Sequence, residues 1–273
     1  MIPVREGIQV HQDEGIFHYL DDALITESDK KEFIAYQKDE ESKASGLKKV
    51  DLLDDIVFKA NFIKIFEELI PRLEISGDET VLEMGGGWCW ASVLVKRKYP
   101  NSYVVGSDLI PTNLQCTTNY EKIVNAYLDE KWVFSCRDLP FASNQFDRIF
   151  TFASFHHFGD KGDYSQSLKE MIRVLKPKGK IVLLYEPSSP KYLYKMAYKR
   201  VNPPNQEVDE DVLVLSRIKQ YVTPLNCKFS AELFPLYSYR DGISQTIYYY
   251  ILTKLSILQQ LVPSTVNIFI KKN

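Results

Sequence analysis

The spacing of apolar residues changes along the chain, and each change marks an element. Ile56, Val57, Ala60, Ile63 and Phe66 to Ile70 recur at helical intervals, and Pro71 ends that run. Short apolar runs then alternate with helical patterns. Strands are predicted at Val81–Met84, Tyr103–Ser107, Trp132–Ser135, Arg148–Ala153 and Lys180–Glu186, with helices over Ala91–Lys98, Thr112–Leu128 and Tyr164–Leu175. Continuous apolar strands alternating with helices predict an α/β protein whose parallel sheet is covered on both faces. Past Pro190 come a tyrosine-rich helix, the turn Asn202-Pro203-Pro204-Asn205 and a short helix near Val212–Gln220. Phe229–Tyr239 and Thr265–Lys271 read as two last strands joined without a parallel crossover. Between them Ile243, Ile247, Ile251, Leu255, Leu258 and Val262 line one face of a helix, expected to pack against the sheet edge, with docking on a membrane or a partner as the alternative. Seven strands are expected.

Residues 1–55 are polar and charge-rich, with Lys38-Asp39-Glu40-Glu41-Ser42-Lys43 as the densest run. They are expected to form a solvated helix or loop, or a lid anchored by Phe17, Tyr19, Phe33 and Tyr36. The remainder, 56–273, is expected to be one domain, with 187–225 and 242–262 as cap insertions. The 273 residues carry a net charge of −2, which gives no electrostatic footprint for nucleic acid. No apolar run reaches the length of a membrane span, and the N-terminus lacks the regions of a secretory signal. Cys89, Cys116, Cys136 and Cys227 are too dispersed for a zinc or disulfide framework and are expected to be reduced. A cytoplasmic protein is expected, with a homodimer left open.

Chemistry concentrates in Val81-Leu82-Glu83-Met84-Gly85-Gly86-Gly87-Trp88-Cys89-Trp90-Ala91, a strand running through glycines into a helix. Glycines there permit a tight turn and close approach of a ligand to the backbone. Such a turn often cradles phosphate, but Glu83 would repel one and suits a cationic group. Asp108 closes the next strand, where a carboxylate can accept bonds from ribose hydroxyls. The pair predicts a site for a nucleoside that bears positive charge.

At these residues the chain resembles the class I S-adenosylmethionine-dependent methyltransferases. Glu83-x-Gly85-x-Gly87 is similar to that family's first motif and Asp108 to its second. Asp138-Leu139-Pro140-Phe141 with Phe146-Asp147-Arg148-Ile149 is similar to the third region, and Leu175-Lys176-Pro177-Lys178-Gly179-Lys180 to the turn before the fifth strand. The resemblance covers roughly residues 55–190 and the final strands. It departs at the third glycine of the first motif, which is Cys89 here, and at Ser135, where the family often carries an acid that meets adenine. It implies a Rossmann-like fold with the last strand antiparallel and S-adenosylmethionine as cofactor, with S-adenosylhomocysteine as product. It also implies a cofactor site lined by Glu83, Gly85, Gly86, Gly87, Asp108, Leu109, Cys136, Arg137 and Ala153. Because the sulfonium already activates its methyl group, the protein is expected mainly to position the acceptor and exclude water.

His156 and His157 follow the fourth strand, at the rim where ligands bind in such sheets, and are candidates for proton transfer. Trp88 and Tyr36 are candidates for contact with the acceptor. No metal is expected. The acceptor pocket falls to the parts outside the shared motifs, which are rich in Tyr, Phe and Leu, so a small organic acceptor methylated on oxygen or nitrogen is expected. Two alternatives remain open: the same cofactor serving decarboxylation, cyclisation or elimination, and a binding protein without catalysis.

Overall fold

The fold is described from a computed structural model. It describes residues 1–20, 25–27, 29–31, 33–35, 52–159, 162–204, 208, 210–238, 240 and 242–273, with backbone alone for 52–59. Tyr36 and the charged run 38–43 therefore lie outside the described residues.

The strands are β1 (His11–Asp13), β2 (Ile16–His18), β3 (Thr80–Glu83), β4 (Tyr103–Asp108), β5 (Glu130–Val133), β6 (Phe146–Phe152), β7 (Leu175–Ser188), β8 (Cys227–Leu233) and β9 (Ser264–Lys272). The helices are α1 (Leu52–Leu69), α2 (Trp90–Lys98), α3 (Pro111–Val124), α4 (Ser165–Val174), α5 (Tyr194–Val201), α6 (Leu215–Val222), α7 (Ile243–Lys254) and α8 (Ser256–Gln259). One sheet orders the strands β1-β2-β5-β4-β3-β6-β7-β9-β8. β2 to β7 pair in parallel, while β9 runs antiparallel to both its neighbours. The α/β, mostly parallel expectation and the antiparallel last strand hold, since right-handed strand–helix–strand units stack this way.

The sheet has nine strands among the described residues, not seven. The two additions come from the N-terminal segment, whose Glu14-Gly15 turn has both residues at positive φ and closes a hairpin onto the free edge of β5. Phe17 stacks on Trp132 there at 4.7 Å. A hairpin covering an edge removes a row of unpaired backbone groups. Other boundaries move for local reasons. α3 stops at Val124 because Asn125 turns left-handed, and β8 ends at Leu233.

The late helix differs most from expectation. It breaks at Leu255, and of its apolar stripe Ile243, Ile247, Ile251 and Leu255 are exposed, with Leu252 the buried residue of α7. The sheet edge it was expected to cover is taken by β8 pairing with β9.

The core lies on both faces of the sheet. α1, α2 and α3 bury Phe66, Leu69, Val93 and Tyr120 on one side. α4 and α6 bury Leu168, Met171, Ile218 and Val222 on the other. This leaves the carboxyl ends of β3, β4, β5 and β6 together at one edge, where the first helical turns begin.

Candidate active site

β3 ends at Glu83, and the chain folds back over β4 through Gly85 and Gly87, both at positive φ (63° and 56°). The Gly86 amide donates to the Ser107 carbonyl at 2.8 Å, and the Ser107 hydroxyl donates to the Glu83 carbonyl at 2.6 Å. Around Gly87 a side chain would meet nothing within 4 Å, so the backbone faces open space there. Around Gly86 the opposite holds: an added Cβ would lie 2.8 Å from the Glu83 carboxylate and from Cys89 Sγ. Cys89 occupies the place of the expected third glycine with φ of 50°, left-handed as glycine would be. Its sulfur fills the space beside Gly106, where a Cβ would come within 2.9 Å of it.

Glu83 is buried beneath this turn and accepts from the Ser92 amide in the first turn of α2 at 3.0 Å. Burial drives its carboxyl up to about 7, against the lowering effect of the Ser92 bond and with a smaller push from the Asp108 charge. Asp108 is also buried. Its Oδ2 accepts from the Gly87 amide at 2.7 Å, while Oδ1 accepts from the Ile110 amide at 2.9 Å and Asn113 Nδ2 at 3.1 Å. Burial raises its pKa, opposed by those same bonds. Three of roughly four acceptor positions on the carboxylate are thus taken. The two bonds to a ribose diol expected from the sequence require the Gly87 or Asn113 donor to yield.

Leu109 is half-buried beside Asp108, and Cys136 lies with its sulfur 3.5 Å from the Ser167 hydroxyl. Arg137 is buried, with Nε 3.6 Å from Asp29 Oδ2. Two of its guanidinium nitrogens, Nε and Nη2, lack a hydrogen-bond partner among the described residues. Ala153 (φ 49°) hands β6 to the histidine turn, and its amide donates to the Leu184 carbonyl. Trp88 packs in the core, 5.9 Å from Tyr120.

His156 and His157 sit in a 3-10 turn, Phe155–His157, held by one acid that the sequence reading missed. Glu186 Oε1 accepts from the amides of Ser154 and Phe155, and Oε2 accepts from the His156 amide. The same Oε2 lies 2.8 Å from His156 Nδ1. On the other ring nitrogen, Nε2, His156 meets Glu210 at 2.8 Å, and His157 Nε2 lies 3.3 Å from the same carboxylate oxygen. Burial alone would make His156 harder to protonate, but Glu186 and Glu210 outweigh it and lift it to about 9. Burial and the His156 charge push His157 down to about 4. Over the neutral range the pair therefore holds one proton. Among the described residues this is also where three metal-ligand side chains converge, His156, His157 and Glu210. Both His156 nitrogens are already engaged by carboxylates, Nδ1 by Glu186 and Nε2 by Glu210. Asp211 extends it, accepting from Tyr164 at 2.6 Å and Tyr194 at 2.9 Å. An acid ending an apolar strand made Glu186 findable in Leu183-Leu184-Tyr185-Glu186. Glu210 and Asp211 lie in a loop with no such signal.

Comparison with known proteins bears on this edge of the sheet. Residues 82–183 match the model of a methyltransferase domain. A demethylmenaquinone methyltransferase of Thermus thermophilus is 29% identical over 128 residues, 45% of this chain and 56% of the relative. A glycine/sarcosine/dimethylglycine N-methyltransferase of Actinopolyspora halophila is 30% identical over 122 residues, 42% of this chain and 20% of that one. The chain thus spans about half, or less, of the length of these relatives. In fold, the crystal structure of a sarcosine dimethylglycine methyltransferase homologue from Galdieria sulphuraria superposes with a TM-score of 0.58 at 17% identity, over 77% of this chain and 86% of the other. The strand order, the glycine turn between two buried acids and these likenesses agree: residues 82–183 match a methyltransferase domain, and the chain is similar to the class I S-adenosylmethionine-dependent methyltransferases.

Proposed function

We propose that the protein transfers a methyl group from S-adenosylmethionine to a small, mostly apolar acceptor, on oxygen or nitrogen. The observation that carries this reading is the open backbone at Gly87 flanked by the buried acids Glu83 and Asp108. It fits a cationic nucleoside, since the turn leaves room and the acids repel phosphate. S-adenosylmethionine supplies the electrophilic methyl group when bound. Asp108 would hold the ribose, Glu83 would favour the cationic end, and the backbone of Cys136 and Arg137 would border adenine. Asp29, ion-paired with Arg137, lies at that border and supports the reading of an N-terminal lid.

The acceptor would lie between the histidine turn and the 210–214 segment. There His156, cationic and pinned by Glu186 and Glu210, acts as a positioning group, while the neutral ring of His157 offers a lone pair. That ring is a weak base, better suited to orienting an acceptor than to removing a tightly held proton. The work left to the protein is alignment and exclusion of water.

Calorimetry on the whole protein tests the cofactor site. Asp108→Ala is expected to weaken binding of S-adenosylmethionine about ten- to a hundredfold, the loss of a charge-assisted bond of roughly 1.5–3 kcal/mol. Absence of heat with the wild type at millimolar cofactor overturns the assignment. Methyl-labelled cofactor with candidate acceptors tests the chemistry: label in the product supports transfer, and consumed acceptor without label points to other use of the cofactor. Turnover of His156→Ala and His157→Ala across pH checks the two rings, and unchanged profiles in both remove them from the mechanism.

A further inference from the structure

We propose that the surface formed by α5 and the α7–α8 unit docks the protein on an anionic lipid bilayer. This goes beyond the methyl-transfer reading and does not depend on it.

Nine of the sixteen large apolar side chains exposed among the described residues fall within 191–201 and 242–262. Ile243 is 80% exposed, Ile257 72% and Tyr192 69%. Single exposed apolar residues are ordinary, but a concentration of them marks an interaction site. The two segments are joined. The Tyr192 hydroxyl donates to the Leu261 carbonyl beyond α8, and the Arg200 charge acts on the Tyr248 phenol of α7.

Charge identifies the occupant. Residues 191–204 and 242–273 contain no Asp or Glu, in a chain whose net charge is −2. Lys191, Lys195 and Lys199 recur every fourth residue along α5 and its lead-in turn, exposed beside the stripe of Tyr192 and Met196. Arg200 and Lys254 are exposed on the same two elements. A second copy of the chain seated on this surface about a twofold axis would set these cations against one another. An acidic headgroup layer accepts them, while the Ile and Met side chains enter the acyl boundary and tyrosine rings lie at the headgroup level. No described helix is long and apolar enough to cross a membrane, so the contact is one of surface docking. α5 has a second role, because its Tyr194 binds Asp211 beside the histidine turn. One helix thus links the bilayer face to the acceptor side.

The test is flotation of the whole protein with vesicles of phosphatidylcholine containing roughly a third phosphatidylglycerol, against phosphatidylcholine alone. Binding is expected to the anionic vesicles and to fall with added salt. A cation near such a surface contributes roughly fivefold in binding, so the double change Lys195→Glu with Lys199→Glu is expected to reduce it about 25-fold or more. Ile257→Asp is expected to reduce it as well, and unchanged melting temperatures show that these exposed substitutions leave the fold intact. Equal partitioning to both vesicle types, or to neither, overturns the proposal. So does a solution dimer that Ile257→Asp splits while the wild type ignores vesicles. Loss of cofactor binding with vesicle binding intact would overturn the methyl-transfer reading alone.

Discussion

In the cofactor role proposed for it, Glu83 would couple ligand affinity to pH. Its carboxyl is held near 7 by burial, so a good part of it is protonated below neutrality. A cationic ligand favours the carboxylate and lowers that pKa, which releases a proton on binding. Affinity for S-adenosylmethionine is therefore expected to rise about tenfold from pH 6 to pH 8 in calorimetric titrations. Glu83→Gln should bind more weakly and lose this part of the slope; a variant with the wild-type slope would show that Glu83 only caps α2 through Ser92. Gly86 bears on the same carboxylate. Gly86→Ala drives a methyl group to 2.8 Å from Glu83 and Cys89, both fixed in the turn. A loss of cofactor affinity of more than tenfold is expected, with the change read by the same titration.

Among the elements, β7 does the most to build the site, and it does so through an irregularity. Its pairing with β9 shifts between Leu183 and Glu186, where Tyr185 takes a left-handed conformation (φ 58°). Such a bulge re-aims the next side chain, and here it turns Glu186 under the amides of Ser154, Phe155 and His156. The bulge is held from β9 by Asn267, whose Oδ1 accepts from the Tyr185 amide at 2.9 Å. Asn267→Leu leaves that amide unpaired in the core, so a stability loss of about 1–3 kcal/mol is expected in chemical denaturation, together with reduced turnover as the histidine turn loosens. Sequence pattern alone could place Glu83, the glycines and Asp108, because strand periodicity and turn chemistry are local. It could not place Glu186 on His156, since that contact depends on a bulge set by a residue 82 positions away. The hairpin of β1 and β2 escaped for another reason. Strands of three residues are too short to show alternation, and their partner β5 lies more than a hundred residues on. The stripe of α7 was legible as amphipathic, but periodicity says only that a face is apolar, not whether protein covers it.

Over the whole molecule, three buried groups with displaced pKa values act on stability in opposite senses. His157, pushed down to about 4, resists protonation in the folded state, so its contribution is full above the unfolded value near 6.5 and fades as pH falls. Glu83, pushed up to about 7, resists ionisation, so its contribution is full below about 4.5 and fades as pH rises toward 7. Between about 4.5 and 6.5 these two largely cancel, and a flat stability profile is expected there. Above that range His156 dominates. Its folded value near 9 exceeds the unfolded 6.5, so its stabilisation is complete below 6.5 and is lost as pH climbs through 9. The displacement corresponds to as much as about 3 kcal/mol, the ring being buried between two carboxylates. Thermal melting at constant ionic strength should therefore decline from pH 6.5 to 9.5, and His156→Gln should abolish that decline. A variant that still loses stability across the alkaline range would place the proton elsewhere than between Glu186 and Glu210.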